Sequence, residues 1–198
     1  MSADPTIQPR LVFLDPGRGK LLETNLAIGA LFLVGVAVVS DVRSGRIPNW
    51  LTGGGLFAAV LFHACLKDWR GLDAALLGAL AGGGVLFPFF LLRGIGAGDV
   101  KLLAAASAWV GIHRAGGMIL ATALAGGALA VGYAMVGGQL GSSFQRATQL
   151  IQFYLTGGIL PRPDFDLHRS TSLRFPYSLA IATGTLYVVV STSALIQR

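Results

Sequence analysis

Long apolar runs separated by short polar breaks dominate the sequence, and apolar side chains cover every face of each run. Six runs cover approximately residues 25–40, 50–66, 72–92, 99–112, 116–136 and 175–195. Inside a bilayer only a helix or a closed barrel satisfies every backbone hydrogen bond, and runs without strand-like alternation favour the helix. The pattern therefore predicts an all-α membrane protein, a bundle of about six transmembrane helices.

The breaks between the runs carry signals for turns and for the membrane surface. Residues 41–49 contain Gly45, which permits a tight turn, and Pro48, which suits the first position of a new helix. Residues 67–71 contain Trp69, a residue type that is enriched at membrane interfaces. We expect the chain to reverse direction at each break.

The fourth run is shorter than the others. Its roughly 14 residues reach about 21 Å as an α-helix, whereas the hydrocarbon core of a bilayer is about 30 Å thick. The glycine-rich stretch 94–98 comes directly before it. Either this helix crosses only part of the bilayer, or the glycine-rich stretch enters the headgroup region and carries Asp99 with it.

Small residues occur at helix-packing positions in two of the runs. In the third run Gly78 and Gly82 have GxxxG spacing, and the fifth run, residues 116–136, is rich in glycine and alanine. Small residues let helix backbones approach closely in a bilayer, where lipid provides no hydrophobic drive for association. We expect these runs to pack tightly against neighbouring helices.

Two segments differ from the transmembrane domain, which we place at residues 25–198. Residues 1–24 contain three prolines and no sustained apolar period, so we expect an exposed, irregular tail rather than a secretory signal peptide. The polar connection 137–174 contains apolar residues at helical spacing: Phe144, Ala147, Leu150, Ile151, Tyr154 and Leu155. This spacing favours an additional interfacial amphipathic helix, with a substrate-docking element as the alternative.

Composition supports the membrane assignment. The 198 residues are 54% hydrophobic and 12% charged, with a mean hydropathy of +0.68, whereas a soluble domain has about 25% charged residues. The formal net charge is +6, but the arginines lie in short loops, where they indicate membrane topology rather than contact with nucleic acid. We therefore expect contact with the lipid bilayer and no nucleic-acid partner.

The sequence offers little support for a metal or cofactor. Cys65 is the single cysteine, which excludes an internal disulfide and a cysteine-paired zinc site in this chain. Asp164, Asp166 and His168 lie in the polar connection, where a solvated surface is the ordinary interpretation. His63 lies within an apolar run, as a core histidine would. We expect no metal and no cofactor.

Two acids at the ends of apolar runs are the strongest candidates for chemistry. Asp41 follows the first run and Asp99 opens the fourth, so the chain crosses the bilayer twice between them and both acids lie at the same face. An ionisable group at the edge of hydrocarbon is costly unless it is paired or hydrated, which favours a functional role. Two adjacent carboxyl groups titrate as a unit, as in an aspartic protease, where one activates water and the other polarises the scissile carbonyl.

Three motifs occur in order at the ends of the runs. Asp41 is followed by Ile47-Pro48-Asn49, then come Gly96-x-Gly98-Asp99-x-Lys101 and Phe175-Pro176-Tyr177. Over roughly residues 25–195 the chain resembles the type IV prepilin peptidase family, membrane aspartic proteases of the GxGD kind. The resemblance implies catalytic roles for Asp41 and Asp99. It implies substrate-binding or motif-supporting roles for Gly96, Gly98, Lys101, Pro48, Asn49, Pro176 and Tyr177.

The resemblance also implies a substrate and a location. Family members remove the short basic leader from prepilins at the cytoplasmic face of the bacterial inner membrane, cleaving after a glycine that precedes an apolar helix. Prepilins, lipid and pilus assembly components are the implied partners. The chain is most similar to the small single-function branch associated with Flp-type pili, because it lacks the CxxC pairs of bifunctional members. We therefore expect cleavage without N-methyltransferase activity.

Charge supports the orientation only in part. Loops on the side of the two acids contain Arg43, Arg46, Arg93, Arg146, Arg162, Arg169 and Arg174, and loops on the other side contain Lys67, Arg70 and Arg114. This bias places the acids in the cytoplasm. The N-terminal tail adds three basic residues to the opposite side, so the cytoplasmic orientation depends on the resemblance.

The role of Lys101 has two interpretations, and two other functions remain possible for the chain. Lys101 lies two residues after Asp99 on another face of the helix, and we expect it to extend to lipid headgroups rather than pair with Asp99. A small ion-coupled transporter would use Asp41 and Asp99 as proton sites but needs a polar path through the bundle. A non-catalytic membrane assembly subunit would tolerate replacement of either acid.

Overall fold

The computed structural model describes residues 16–91, 94–136 and 177–196. These residues form α1 (Pro16–Ser44), α2 (Asn49–Leu91), α3 (Ala97–Val110), α4 (Ile112–Val136) and α5 (Tyr177–Ile196). The described part of the chain contains no strand. The predicted all-α class is therefore confirmed.

Four stretches in these residues are long and apolar enough to cross a membrane: Leu21–Ser44, Asn49–Leu66, Trp69–Leu91 and Ile112–Tyr133. The second and third are the two arms of α2. α3 has only 14 residues, and the apolar part of α5 is Ser178–Ala194. The protein is thus a multi-pass, all-helical membrane protein whose described part has four stretches of spanning length, while α3 and α5 stand where the fourth and sixth runs are predicted.

Helix α2 reverses direction between its two arms. At its start, Asn49 Oδ1 lies 2.9 Å from Lys101 Nζ in the second turn of α3. Further along the first arm, His63 Nε2 lies 3.2 Å from the carbonyl oxygen of Trp109, near the end of α3. A straight helix of 43 residues would be about 64 Å long and could not return to the same neighbour. The second arm of α2 nevertheless lies along α3. These contacts and that of Ala74 with Gly111 place the reversal between His63 and Ala74, a stretch that includes the predicted break 67–71.

The second arm packs on α3 through two glycines. A Cβ added at Gly78 would lie 2.5 Å from the carbonyl oxygen of Ser107. A Cβ added at Gly82 would collide with the Ser107 hydroxyl and lie 2.7 Å from the carbonyl oxygen of Leu103. Because these distances are shorter than van der Waals contact, only glycine permits this approach of the two backbones. The predicted role of the GxxxG pair is confirmed.

α3 is the central helix and contacts each of the other described helices. Its residues 105–109 are all buried, which leaves no lipid-facing side along this stretch. Most of them are alanine or serine, so neighbouring helices approach from every direction. Trp109 fills the remaining space, where its indole Nε1 donates to the carbonyl oxygen of Gly55 at 3.0 Å and its ring lies against Gly29.

The outer surface of the bundle is apolar. Phe32, Phe57, Leu80 and Leu124 lie on four of the predicted runs or their ends, and each is between 67% and 70% exposed. Exposure to water costs about 25 cal/mol for each Å² of apolar surface, a cost that hydrocarbon does not impose. These side chains therefore face lipid, as expected for a membrane bundle.

Helix boundaries differ from the predicted ones at two places. α1 begins at Pro16, so the irregular conformation expected for residues 1–24 is wrong for residues 16–24, where proline occupies a favourable first helical position. Between α3 and α4 the break is a single residue, Gly111, which has a φ of 76°. The predicted amphipathic helix in residues 137–174 lies outside the described residues.

Gly82→Ala is expected to destabilise the bundle, because the added methyl group collides with Ser107 and with the Leu103 carbonyl. Overpacking of a core costs about 1–3 kcal/mol, which exceeds the gain in helix propensity of up to about 1 kcal/mol. Gly84→Ala is the matched control, since its added Cβ meets nothing within 4 Å. Thermal unfolding in detergent should give a lower Tm for Gly82→Ala only, and equal Tm values for both variants would contradict the close packing.

Candidate active site

Four helix ends meet at one end of the bundle, which we call the carboxylate end. α1 ends there with Asp41 in its last turn, α2 begins there at Asn49, α3 begins two residues before Asp99, and α5 begins at Tyr177. The N-termini of α3 and α5 carry partial positive charge from unpaired backbone N–H groups, which favours a nearby anion. The start of α3 thus favours an anion at Asp99, whereas the C-terminal turn of α1 gives Asp41 no such help and leaves it dependent on other partners.

A tight turn holds the end of α1 beside the start of α2. Gly45 has a φ of 63°, which favours glycine, and its N–H donates to the carbonyl oxygen of Asp41 at 2.7 Å. The Ser40 hydroxyl donates to the carbonyl oxygen of Arg46 at 3.0 Å, and the Ser44 hydroxyl donates to that of Ser40 at 2.7 Å. These bonds fix the turn, so the chain returns toward α3 directly after Asp41.

The two glycines before Asp99 allow close packing around its carboxyl group. A Cβ added at Gly98 would lie 3.2 Å from the Cβ of Ile47, and one added at Gly96 would lie 3.2 Å from Asp99 Oδ2. Gly96 also caps α3, where its carbonyl oxygen accepts the Asp99 N–H at 3.1 Å. The Gly-x-Gly-Asp spacing therefore lets the α1–α2 turn and the cap of α3 close around Asp99.

Asp41 is held by the first turn of α5. The Ser178 hydroxyl donates to Asp41 Oδ2 at 2.6 Å, and Ser178 is fully buried while Asp41 is partly buried. A hydrogen bond to an ionised acceptor is short and strong. This contact joins residues that are 137 positions apart in the chain, and it ties the end of α1 to the start of α5.

Burial and the charge of Asp41 together raise the pKa of Asp99 from its ordinary value of 3.8 to about 6. Burial is the larger cause, Asp41 is the second, and a backbone hydrogen bond from Gly96 acts in the opposite direction. Asp99 lies in the first turn of α3, outside the four stretches of spanning length. The two acids therefore lie near enough for the charge of one to disfavour ionisation of the other.

Tyr177 completes the surroundings of Asp99. Burial and then the negative charge of Asp99 raise the pKa of the Tyr177 phenol above its ordinary value, so the phenol lies near Asp99. Its ring packs against α4, where a Cβ added at Gly126 would lie 2.9 Å from Tyr177 Cε2. Gly126 thus admits the ring that carries a neutral hydroxyl to the carboxylate end.

Lys101 links α3 to α2 at the edge of this cluster. Its Nζ donates to Asn49 Oδ1 at 2.9 Å, so the side chain contacts the start of α2. Neither role weighed from the sequence, pairing with Asp99 or extension to headgroups, describes this contact. The preceding Pro48 lies at the same corner, where its carbonyl oxygen accepts the Thr52 N–H at 3.3 Å.

The structure brings together most of the site residues that the sequence singles out. Around the two acids and at the edge of their cluster lie Gly96, Gly98, Tyr177, Pro48, Asn49 and Lys101. Pro176 lies outside the described residues. Ser178 is a functional candidate that the motifs do not include, and its one sequence signal is its position directly after Tyr177 in the first turn of α5.

This arrangement suits general acid–base chemistry. One oxygen of Asp41 accepts a hydrogen bond from Ser178, and Asp99 has a raised affinity for a proton. A proton acceptor and a proton donor at one site are the two groups that hydrolysis of an amide requires. Pairs of acids whose surroundings separate their proton affinities have this division of roles in aspartic proteases.

A family model described as the type IV leader peptidase family matches residues 27–131. This range contains Asp41 and Asp99 and ends before α5. No solved structure matches the chain significantly.

Curated prepilin leader peptidase/N-methyltransferases are similar to part of the chain. The protein of Burkholderia pseudomallei (strain K96243) is 39% identical over 99 residues, which are 45% of this chain and 31% of the relative. That of Escherichia coli (strain K12) is 36% identical over 126 residues, which are 57% of this chain and 53% of the relative. That of Dickeya chrysanthemi is 34% identical over 119 residues, which are 54% of this chain and 42% of the relative. The chain thus matches about a third to a half of the length of these relatives.

Asp99→Asn is expected to stabilise the protein, increasingly so as pH rises. The folded state holds the Asp99 proton more tightly than the unfolded chain. The free energy of unfolding of the wild type therefore decreases as pH rises from the ordinary pKa of 3.8 to the folded-state pKa of about 6. An asparagine removes this loss. The Tm difference between Asp99→Asn and wild type should therefore be larger at about pH 8 than at about pH 4.

Asp73→Asn is the control for this measurement, because Asp73 is an exposed carboxyl group on α2. Its Tm difference from wild type should change little with pH. A Tm difference for Asp99→Asn that is the same at both pH values would show that Asp99 does not titrate in the surroundings described.

Proposed function

The chain belongs to the type IV leader peptidase family, and we propose that it is a membrane aspartic endopeptidase that removes the leader peptide from prepilins. One observation carries the proposal: Asp41 and Asp99, which are 58 residues apart in sequence, share the carboxylate end, and the charge of Asp41 raises the pKa of Asp99. Relatives named prepilin leader peptidase/N-methyltransferase support the substrate class.

In the proposed reaction the two acids act in opposite protonation states. The ionised acid takes a proton from water as the water oxygen bonds to the scissile carbonyl carbon, and the protonated acid gives its proton to the carbonyl oxygen. The acid that received the water proton then protonates the leaving amine as the C–N bond breaks. The other acid regains its proton when the carbonyl re-forms, so both return to their starting states.

The surroundings of Asp99 fit an extended peptide that carries an apolar helix. Gly96 is exposed and presents backbone rather than a side chain beside Asp99, and a substrate backbone approaches such a surface closely. The apolar outer face of the bundle lies next to lipid, where the apolar helix of a prepilin would also reside. We propose that the substrate enters from the bilayer and presents the residues just before its helix to the two acids.

Six crossings and a cytoplasmic site are part of the proposal. We count the four stretches of spanning length as crossings, with α3 and α5 as two shorter ones. The C-terminal end of α1 and the starts of α3 and α5 then lie on one side, and Asp99 lies at the interfacial end of α3. Arg43 and Arg46 lie on this side, and positively charged loops are retained in the cytoplasm. We propose the inner membrane of a bacterium as the location, with pilus assembly components as further partners.

We also propose that this chain cleaves prepilins without methylating them. The curated relatives carry both activities in their names, but this chain has one cysteine, Cys65. A paired-cysteine site is therefore not available within its 198 residues.

Asp41→Asn and Asp99→Asn are each expected to lower leader cleavage by at least about 100-fold, because each removes one of two groups that act as a unit. The assay co-expresses the chain with a prepilin that has a basic leader and a glycine at the cleavage site, and leader removal is followed by gel mobility and mass. Asp73→Asn, an exposed carboxyl group far along α2, is the control that should cleave like wild type.

If both Asn variants process the prepilin at the wild-type rate, the two acids are not the catalytic pair, and an ion-coupled transporter or an assembly subunit explains them better. Loss of cleavage together with a lower Tm would instead indicate a folding defect, so Tm is measured for each variant.

The mass of the new N-terminus tests the absence of methylation. The processed pilin is expected to lack the mass of a methyl group when this chain is the only processing enzyme present. A methylated N-terminus formed by the purified chain with S-adenosylmethionine would overturn this part of the proposal.

A further inference from the structure

Resting on the proposed peptidase function, we propose that Ser178 is a positioning residue that holds Asp41 as the ionised general base, which leaves Asp99 as the proton donor. The proposal assigns different roles to two acids that are chemically identical. It depends on the first turn of α5, a part of the chain that the family match at residues 27–131 does not include.

The contact between Ser178 and Asp41 is direct and shielded. The Ser178 hydroxyl donates to Asp41 Oδ2 at 2.6 Å, and Ser178 has no exposed surface. Burying a hydroxyl without a partner is unfavourable, because it loses its hydrogen bonds to water. Among the described residues, Asp41 supplies that partner, so the side chains fix one another.

The direction of the hydrogen bond decides the protonation state that it favours. A hydroxyl that donates to a carboxylate oxygen stabilises the ionised form and occupies that oxygen. Oδ2 of Asp41 is then engaged with Ser178, and Oδ1 is left to accept a proton from water. A carboxyl group held in this way is a base with a fixed orientation.

The other acid is surrounded differently. Tyr177, the residue before Ser178, lies near Asp99, and its phenol stays neutral there. Consecutive residues of α5 thus lie beside the two acids, Ser178 through a hydrogen bond to Asp41 and Tyr177 near enough to Asp99 to feel its charge. The start of α5 therefore separates the two acids into a base and a proton donor.

Several other charged or titratable groups of the described residues lie at the carboxylate end with Asp41, and each has to be considered in a pH experiment. On α3 these are Asp99 and Lys101, and Lys101 is bonded to Asn49. On α5 the group is Tyr177, and the exposed Arg43 and Arg46 follow Asp41 along the chain. α2 contributes the neutral Asn49 at this end. Variants of Ser178 leave all of these charges in place, so a changed pH profile reports on the hydrogen bond.

Ser178→Ala is expected to lower kcat for prepilin cleavage by about 10- to 100-fold at neutral pH, as the loss of one hydrogen bond to a charged group implies. The acidic limb of the pH–rate profile should move to higher pH, because ionised Asp41 loses its donor. KM should change little. Ser178→Thr keeps the hydroxyl and should recover most of the activity and the wild-type acidic limb.

Ser193→Ala is the matched control, since Ser193 is an exposed serine of α5 whose hydroxyl donates to Val189 of its own helix. Its profile should equal that of wild type. A Ser178→Ala variant with a wild-type Tm and an unshifted acidic limb would overturn the proposal, as would a folded Ser178→Thr variant with the activity of Ser178→Ala. A uniform loss at every pH would indicate packing alone.

A second measurement tests the hydrogen bond between Ser178 and Asp41 without requiring peptidase activity. If the chain cleaves no prepilin, the proposed function is wrong, but this measurement still tests the contact. It is a double-mutant cycle on thermal stability with Ser178→Ala, Asp41→Asn and the combined variant. Coupling between the two positions at neutral pH that disappears in acid supports a bond to ionised Asp41. Additive effects at every pH would overturn it.

Discussion

The close approach of two carboxyl groups in a partly buried site is the constraint on which the rest of the structure depends. Two like charges in such surroundings are unfavourable, so an ionised acid needs stabilising partners and its neighbour needs a higher affinity for a proton than a free aspartate has. The carboxylate end meets both demands. The N-terminal ends of α3 and α5 and the Ser178 hydroxyl favour an anion, while burial and then the charge of Asp41 raise the pKa of Asp99 to about 6.

Packing far from the acids brings them together. α1 ends at Asp41, and the chain must return to the same end of the bundle before α3 can begin near Asp99. α2 provides this return by doubling back along α3, and Gly78 and Gly82 allow its second arm to lie against the α3 backbone. The small side chains of α3 let every other described helix reach it. The small residues that allow close helix packing thus determine where the two acids meet.

The sequence predicts those features that follow from short patterns. Apolar runs, the turn at Gly45 and the GxxxG spacing are local, and each corresponds to an observed element because helix formation in lipid needs little beyond an apolar run. The common face of Asp41 and Asp99 follows from counting crossings. The partners of individual side chains do not follow from such patterns: Lys101 meets Asn49 across two helices, and the single-residue break at Gly111 depends on packing at the end of α3.

Ser178 shows the limit of local patterns most clearly, and also why α5 matters. A serine at the start of a helix usually caps its own backbone, so nothing in its neighbourhood indicates a bond to a residue 137 positions away. Two aspartates have the same intrinsic chemistry, so a difference in role must come from their surroundings. The family match ends before α5, yet Ser178 of this helix contacts Asp41 and Tyr177 lies near Asp99. In the proposed mechanism the acids supply the reactive groups, and the contacts of α5 determine which of them acts as the base.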